Sequence, residues 1–231
     1  LFFGSTQAVL GNSQAVVQQL YEEGFSKEKV KLIAKELFPD KIEFFNEIIY
    51  NIESYSAKSE EIFGKTLYHT DQHIFAVVIR SFAIGKQLSL TVEELKILFC
   101  AALLHDMYHS FGASSDVLNV TVAIYVANNC FTNNFGKEFT SSVSDAILCT
   151  VYPYRIRPQN EVEKILRDCD ITMCLEPDAE SFAVGLTNEL SISGKNIIMS
   201  VDDMYEFSKS QRFYTIPVAN LFGIPYAYAK A

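Results

Sequence analysis

All four histidines of the chain lie in two short clusters, Tyr68-His69-Thr70-Asp71-Gln72-His73 and His105-Asp106-Met107-Tyr108-His109. The pair His105-Asp106 sets an imidazole nitrogen beside a carboxylate oxygen, and His69 and His73, four residues apart, share one face of a helix. Imidazoles and carboxylates together suit a borderline or hard divalent ion that keeps positions open to water, unlike the closed thiolate sites of structural zinc. A metal-centred active site is therefore the chemistry this pattern predicts. His73, His105 and Asp106 offer three ligands, and a fourth must come from elsewhere. Asp170 is the expected one, because it lies beside the apolar stripe Val162, Ile165, Leu166 and Cys169; Asp168 competes with it.

The elements that must carry these residues read as helical almost throughout. Val30, Ile33, Ala34 and Leu37 follow the i, i+3, i+4, i+7 pattern after a Ser26 cap, and a second amphipathic segment carries Ile42, Phe45, Ile49 and Ile52. From Thr70 to Ile84 the chain is apolar on most faces, which predicts a buried helix stopped by Gly85, with His69 and His73 at its start. Thr91 and Glu94 form a capping-box signature ahead of Leu95, Leu98, Phe99 and Ala102, a stripe that runs into His105-Asp106. Further helices are expected at 116–128, 140–150, 160–170, 178–190, 201–210 and 212–222, separated by Gly112, Asn133-Asn134-Phe135-Gly136, Pro153, Pro158, Pro177 and Gly194. No alternating strand pattern, repeat or long linker appears. The expected fold is all-α, with residues 1–56 as a helical appendage on a core at 57–231.

Bulk composition narrows the partners. The 231 residues are 49% hydrophobic and 20% charged, enough for one substantial core. A net charge of −9 with scattered Lys and Arg argues against duplex nucleic acid and anionic membranes, while a metal can still attract a small anion. The five cysteines, an odd number in mostly apolar surroundings without metal spacing, suggest reduced core residues of a cytoplasmic protein. The longest apolar run, Ile97 to Leu104, is far below the roughly 20 residues that span a bilayer. The chain opens at Leu1 rather than Met, and nothing in it argues for a removed signal peptide.

In its order, His73, then His105-Asp106, then a distant Asp170, the sequence resembles the HD superfamily of metal-dependent phosphohydrolases, which are all-helical. Within that superfamily, Tyr68-His69-x-x-x-His73 and His105-Asp106-x-x-His109-x-x-Gly112 are similar to signatures of the cyclic-nucleotide phosphodiesterase catalytic domain. Cys169-Asp170-Ile171-Thr172 and the segment from Ser210-Gln211 to Leu221-Phe222 extend the likeness, which covers roughly residues 60 to 225. Thr70 stands where that family has Asn, Phe111 adds a residue before Gly112, the Gly expected after Gln211 is missing, and the chain is shorter than a full domain of that group.

The resemblance implies a tight ion held by His73, His105, Asp106 and Asp170, with Asp106 bridging to a second ion bound mainly by waters. Zn, Mn, Fe, Mg and Ni are all compatible with these donors. It further implies that His69 protonates the leaving oxygen, that His109 lies near the second ion behind its ligands, and that Gln211 with Tyr214 or Phe213 holds a nucleotide base. Arg80, on one helix face with His73, and Arg155 or Arg157 are candidates for a phosphate clamp, although a solvated or salt-bridged role is the commoner one for each. The expected activity is hydrolysis of a small-molecule phosphoester, foremost a 3′,5′-cyclic nucleotide or related diester. The alternatives are a nucleotidase releasing phosphate from nucleoside mono- or triphosphates and a non-catalytic metal or nucleotide sensor.

Overall fold

The structure is a computed structural model that describes residues 26–224; the parts of the expected appendage and core at 1–25 and 225–231 lie outside the described residues. Ten α-helices follow one another, with no strand among the described residues. They are α1 Lys27–Leu37, α2 Ile42–Phe63, α3 Asp71–Gln87, α4 Val92–Leu104, α5 Asp116–Phe135, α6 Lys137–Leu148, α7 Glu161–Asp170, α8 Ala179–Ile192, α9 Val201–Ser210 and α10 Ile216–Leu221. Position 56 falls inside the continuous helix α2, and one apolar cluster joins Val30 of α1 and Phe45 of α2 to Leu166 of α7 and Val218 of α10.

The centre is α3 packed against α4, flanked by α1, α6 and α7. Both central helices bury nearly every face, as their unbroken apolar sequences require. The Thr91–Glu94 capping box forms as expected, with the Thr91 hydroxyl accepting from the Glu94 amide and the Glu94 carboxylate accepting in return. Phe38, Phe45, Phe99 and Phe135 interlock tilted, edge to face and stacked, which packs the middle of α4. No helix of the described residues is long and apolar enough to cross a membrane.

Three boundaries differ from expectation. Gly85 does not stop α3, which continues to Gln87; a Cβ at Gly85 would come 2.8 Å from Leu95 Cδ2, so this glycine serves the close approach of α3 and α4. Helix α5 runs through Asn133-Asn134-Phe135, since Asn128 and Asn134 turn their amides onto the carbonyls four residues back and only Gly136, at φ 87°, ends it. The expected 212–222 helix shrinks to Ile216–Leu221 because Asp168 holds the amides of Tyr214 and Thr215 ahead of it. All five cysteines are free thiols, and Cys130 alone is only partly buried.

Candidate metal centre

Three helix ends meet at one point. His73 sits in the first turn of α3, His105 caps the C-terminus of α4 with Asp106 next in line, and Asp170 is the last residue of α7. Nε2 of His73 lies 3.1 Å from Nε2 of His105, 3.0 Å from Asp106 Oδ2 and 3.2 Å from Asp170 Oδ1. Nε2 of His105 lies 3.1 Å from Asp106 Oδ2 and 3.3 Å from Asp170 Oδ1. Ligands about 2.1 Å from a common centre are about 3.0 Å apart at right angles and about 3.4 Å apart at tetrahedral angles. The observed edges fall in that range.

Hydrogen bonding alone does not account for this geometry. Asp106 Oδ2 is buried and, despite two imidazole nitrogens close by, has no hydrogen bond of acceptable direction. The His105 Nδ1–H donates to the Ala102 carbonyl at 2.8 Å, which orients the ring and turns Nε2 toward the cluster. These two imidazoles and two carboxylates are positioned to hold a metal ion.

Electrostatics agree with the donor geometry. Burial pushes Asp106 up, but His105 and His69 outweigh it and hold the carboxyl well below its ordinary range. Burial likewise opposes ionisation of Asp170, which His105 and His73 bring down to about 2. Burial lowers His105, yet Asp106 and Asp170 lift it well above an ordinary imidazole. The positive charge that the carboxylates favour at this point is the charge a divalent cation carries.

Beside this cluster lies a second one that sequence reasoning did not reach. Glu189 of α8, 3% exposed, accepts from the Tyr68 and His69 amides through Oε1 at 2.7 and 2.9 Å and from His69 Nδ1 through Oε2 at 2.6 Å. Burial pulls His69 down, but Glu189 and then Asp106 lift it to about 9, so it is an imidazolium at neutral pH. The His109 ring stacks on His69 at 3.7 Å, and its Nδ1 accepts from the Phe111 amide at 3.0 Å. Burial and the neighbouring His69 charge push His109 down to about 3. Although His69, His109 and Glu189 lie within ligand reach of one another, the Glu189 oxygens and both Nδ1 atoms already have hydrogen-bond partners. The group therefore reads as an imidazolium–carboxylate pair with a neutral imidazole against it.

Two glycines admit α8 to this position. A Cβ at Gly185 would meet the Leu67 carbonyl at 2.6 Å, and one at Gly112, where φ is +88°, would meet the Glu189 carbonyl at 2.3 Å. Phe111, the added residue of the second motif, is 1% exposed and stacks on Tyr55, whose hydroxyl donates to the His109 carbonyl at 2.8 Å. The sequence signal for Glu189 was its place on the buried stripe of α8 with Ala179, Phe182 and Ala183, where an acid needs a partner.

The other expected residues fall elsewhere. Asp168, the rival to Asp170, points away and accepts from the Tyr214 amide and from the Thr215 amide and hydroxyl. Arg80 is buried against Thr172 and Glu176, a structural ion pair rather than a phosphate clamp. Arg155 and Arg157 are exposed. Phe213 is 2% exposed and stacks on Phe222, so it belongs to the core and offers no face to a base. The Gln211 amide turns back to the Phe207 carbonyl and the Ser210 hydroxyl. Tyr214 is half-buried, held by its amide to Asp168. Comparison with protein-family models, curated proteins and solved structures gives no match to this chain.

Proposed function

We propose that this chain is a metal-dependent phosphohydrolase of the HD type. The observation that supports it best is the juxtaposition of an imidazolium, His69, with a four-donor cluster made by His73, His105, Asp106 and Asp170. A divalent ion held by His73, His105, Asp106 and Asp170 would supply Lewis acidity toward a phosphoryl oxygen and would lower the pKa of a water. The protein groups do the rest. Asp106, whose buried Oδ2 faces His73 and His105 without a hydrogen bond, would hold the ion and, on this reading, would also serve a second cation. His69, charged at neutral pH and oriented by Glu189, gives its Nε2 proton to the departing alkoxide. Neutral His109 stacks against His69 and keeps that proton donor aligned.

The proposed substrate is a small phosphoester, foremost a nucleotide diester, with Tyr214 as the remaining aromatic surface for a base. A panel of cyclic nucleotides, nucleoside monophosphates and nucleoside triphosphates, assayed with protein loaded with Zn, Mn or Mg, tests it. Diester cleavage to a monoester is the expected result. Release of inorganic phosphate with diesters untouched points to a nucleotidase instead, and the absence of turnover across the panel leaves only a binding module.

A further inference from the structure

Arg167 is the anomaly of the interior. It is 3% exposed, yet among the described residues no carboxylate pairs with it and its Nε has no hydrogen-bond partner. A buried guanidinium without a counter-ion is costly, and proteins ordinarily pair it or expose it. The two nearest acids in sequence are both engaged. Asp168 binds the Tyr214 and Thr215 amides, and Asp170 faces His73 and His105.

Its position gives the anomaly a meaning. Arg167 and Asp170 are three residues apart on α7, which places them on adjoining parts of one helix face. The Tyr154 ring lies over the guanidinium, with its centroid 3.1 Å from Cζ. Stacking occupies the flat face of an arginine and leaves its N–H edge for planar recognition of an oxyanion. Burial pulls this guanidinium below its ordinary value, against the fields of Tyr154, Asp170 and Tyr214. Burial and then the Asp170 charge push the Tyr154 phenol well up, so the stacked pair lies within the field of the four-donor cluster. Neither Arg155 nor Arg157, both exposed, is held in this way.

We infer that Arg167 binds an oxyanion of the substrate, a phosphoryl or similar group held by the guanidinium edge beside Asp170. This rests on the reading that a phosphoester occupies the metal centre, and it assigns the cation that grips it. Tyr154 is the positioning residue that holds the guanidinium flat.

Inorganic phosphate is the probe. Its affinity for metal-loaded wild type, Arg167→Met and Arg167→Lys is measured by calorimetry, with metal content and melting temperature recorded for each. The expected result is at least tenfold weaker phosphate binding in Arg167→Met with metal content unchanged, and partial recovery in Arg167→Lys. Phosphate affinity within twofold of wild type in folded, metal-loaded Arg167→Met overturns the assignment. If Arg167→Met does not fold, the guanidinium resonance of Arg167 in wild type, assigned by its loss in Arg167→Lys, serves instead. It shifts on phosphate addition if the inference holds, and a resonance that stays put overturns it. The two readings fail separately: absence of turnover alongside Arg167-dependent phosphate binding sinks the hydrolase, whereas undiminished turnover with unchanged KM in Arg167→Met sinks the anion site.

Discussion

At the scale of single residues, the site divides into groups positioned to hold a cation and, on the proposed reading, one imidazolium that gives up a proton. Asp106 touches both His73 and His105, and its removal leaves the two imidazoles facing one another at 3.1 Å with only Asp170 beside them. Asp106→Ala should therefore lose bound metal and turnover together. His69→Ala should lower turnover by roughly 10²–10⁴-fold, the usual worth of a general acid, with metal retained. Metal analysis of the two purified variants decides this, and loss of metal from His69→Ala would make that residue a ligand. Glu189→Gln tests the proton donor differently. His69 is raised in the folded state, so its pairing adds stability that is fully present below its ordinary value of 6.5 and is lost as pH rises through about 9. Without the Glu189 charge that window closes, and the alkaline limb of the pH–rate profile should move from about 9 down by more than one unit. An unmoved limb in a folded variant removes Glu189 from the role given to it.

At the scale of elements, the positions of the four candidate donors were legible because each sits at a helix end that the sequence announces. The Thr91 capping box and the apolar run after it place His105-Asp106 at the close of α4, and the stripe of α7 selects Asp170 over Asp168. Glu189 was not legible, since the approach of α8 to the histidine motifs depends on Gly112 and Gly185, and a glycine's reason is visible only when its neighbour is known. Gly85 teaches the same lesson in reverse, because a residue that signals termination in sequence serves here to let Leu95 come close. The segment expected to hold a base differs in its helix bounds for a third reason: Asp168 draws the Tyr214 and Thr215 amides to itself, which shortens the last helix, and Phe213 is buried. Gly185→Ala is the test at this scale. Its Cβ would meet the Leu67 carbonyl and the Tyr68 amide, backbone atoms that cannot swing aside, so the change should destabilise by about 1–3 kcal/mol. It should also separate Glu189 from His69. Thermal unfolding and the His69 titration, read together by NMR, check it; an unshifted titration would mean that α8 accommodates the methyl without moving Glu189.

At the scale of the whole molecule, one core joins all the helices that supply the donors, so charge at the metal centre acts on global stability. Asp106 and Asp170 are both held ionised within 3.3 Å of the same imidazoles, and only a net positive charge among them makes that arrangement favourable. An ion that binds the folded chain alone stabilises it by about 4 kcal/mol at a thousandfold excess over its dissociation constant. For a domain of this size each kcal/mol raises the melting temperature by roughly 2–4 °C, so metal should raise it by roughly 8–16 °C over chelator-treated protein. The gain should shrink as pH falls, since ligands must be deprotonated to bind, and the loss should begin above the range of free imidazoles because the carboxylates raise His105. Asp106→Ala should melt at one temperature with and without the ion. Calorimetric scans of both proteins across metal concentrations provide the measurement, and a metal-dependent shift of equal size in Asp106→Ala would place the stabilising ion somewhere other than the meeting point of α3, α4 and α7.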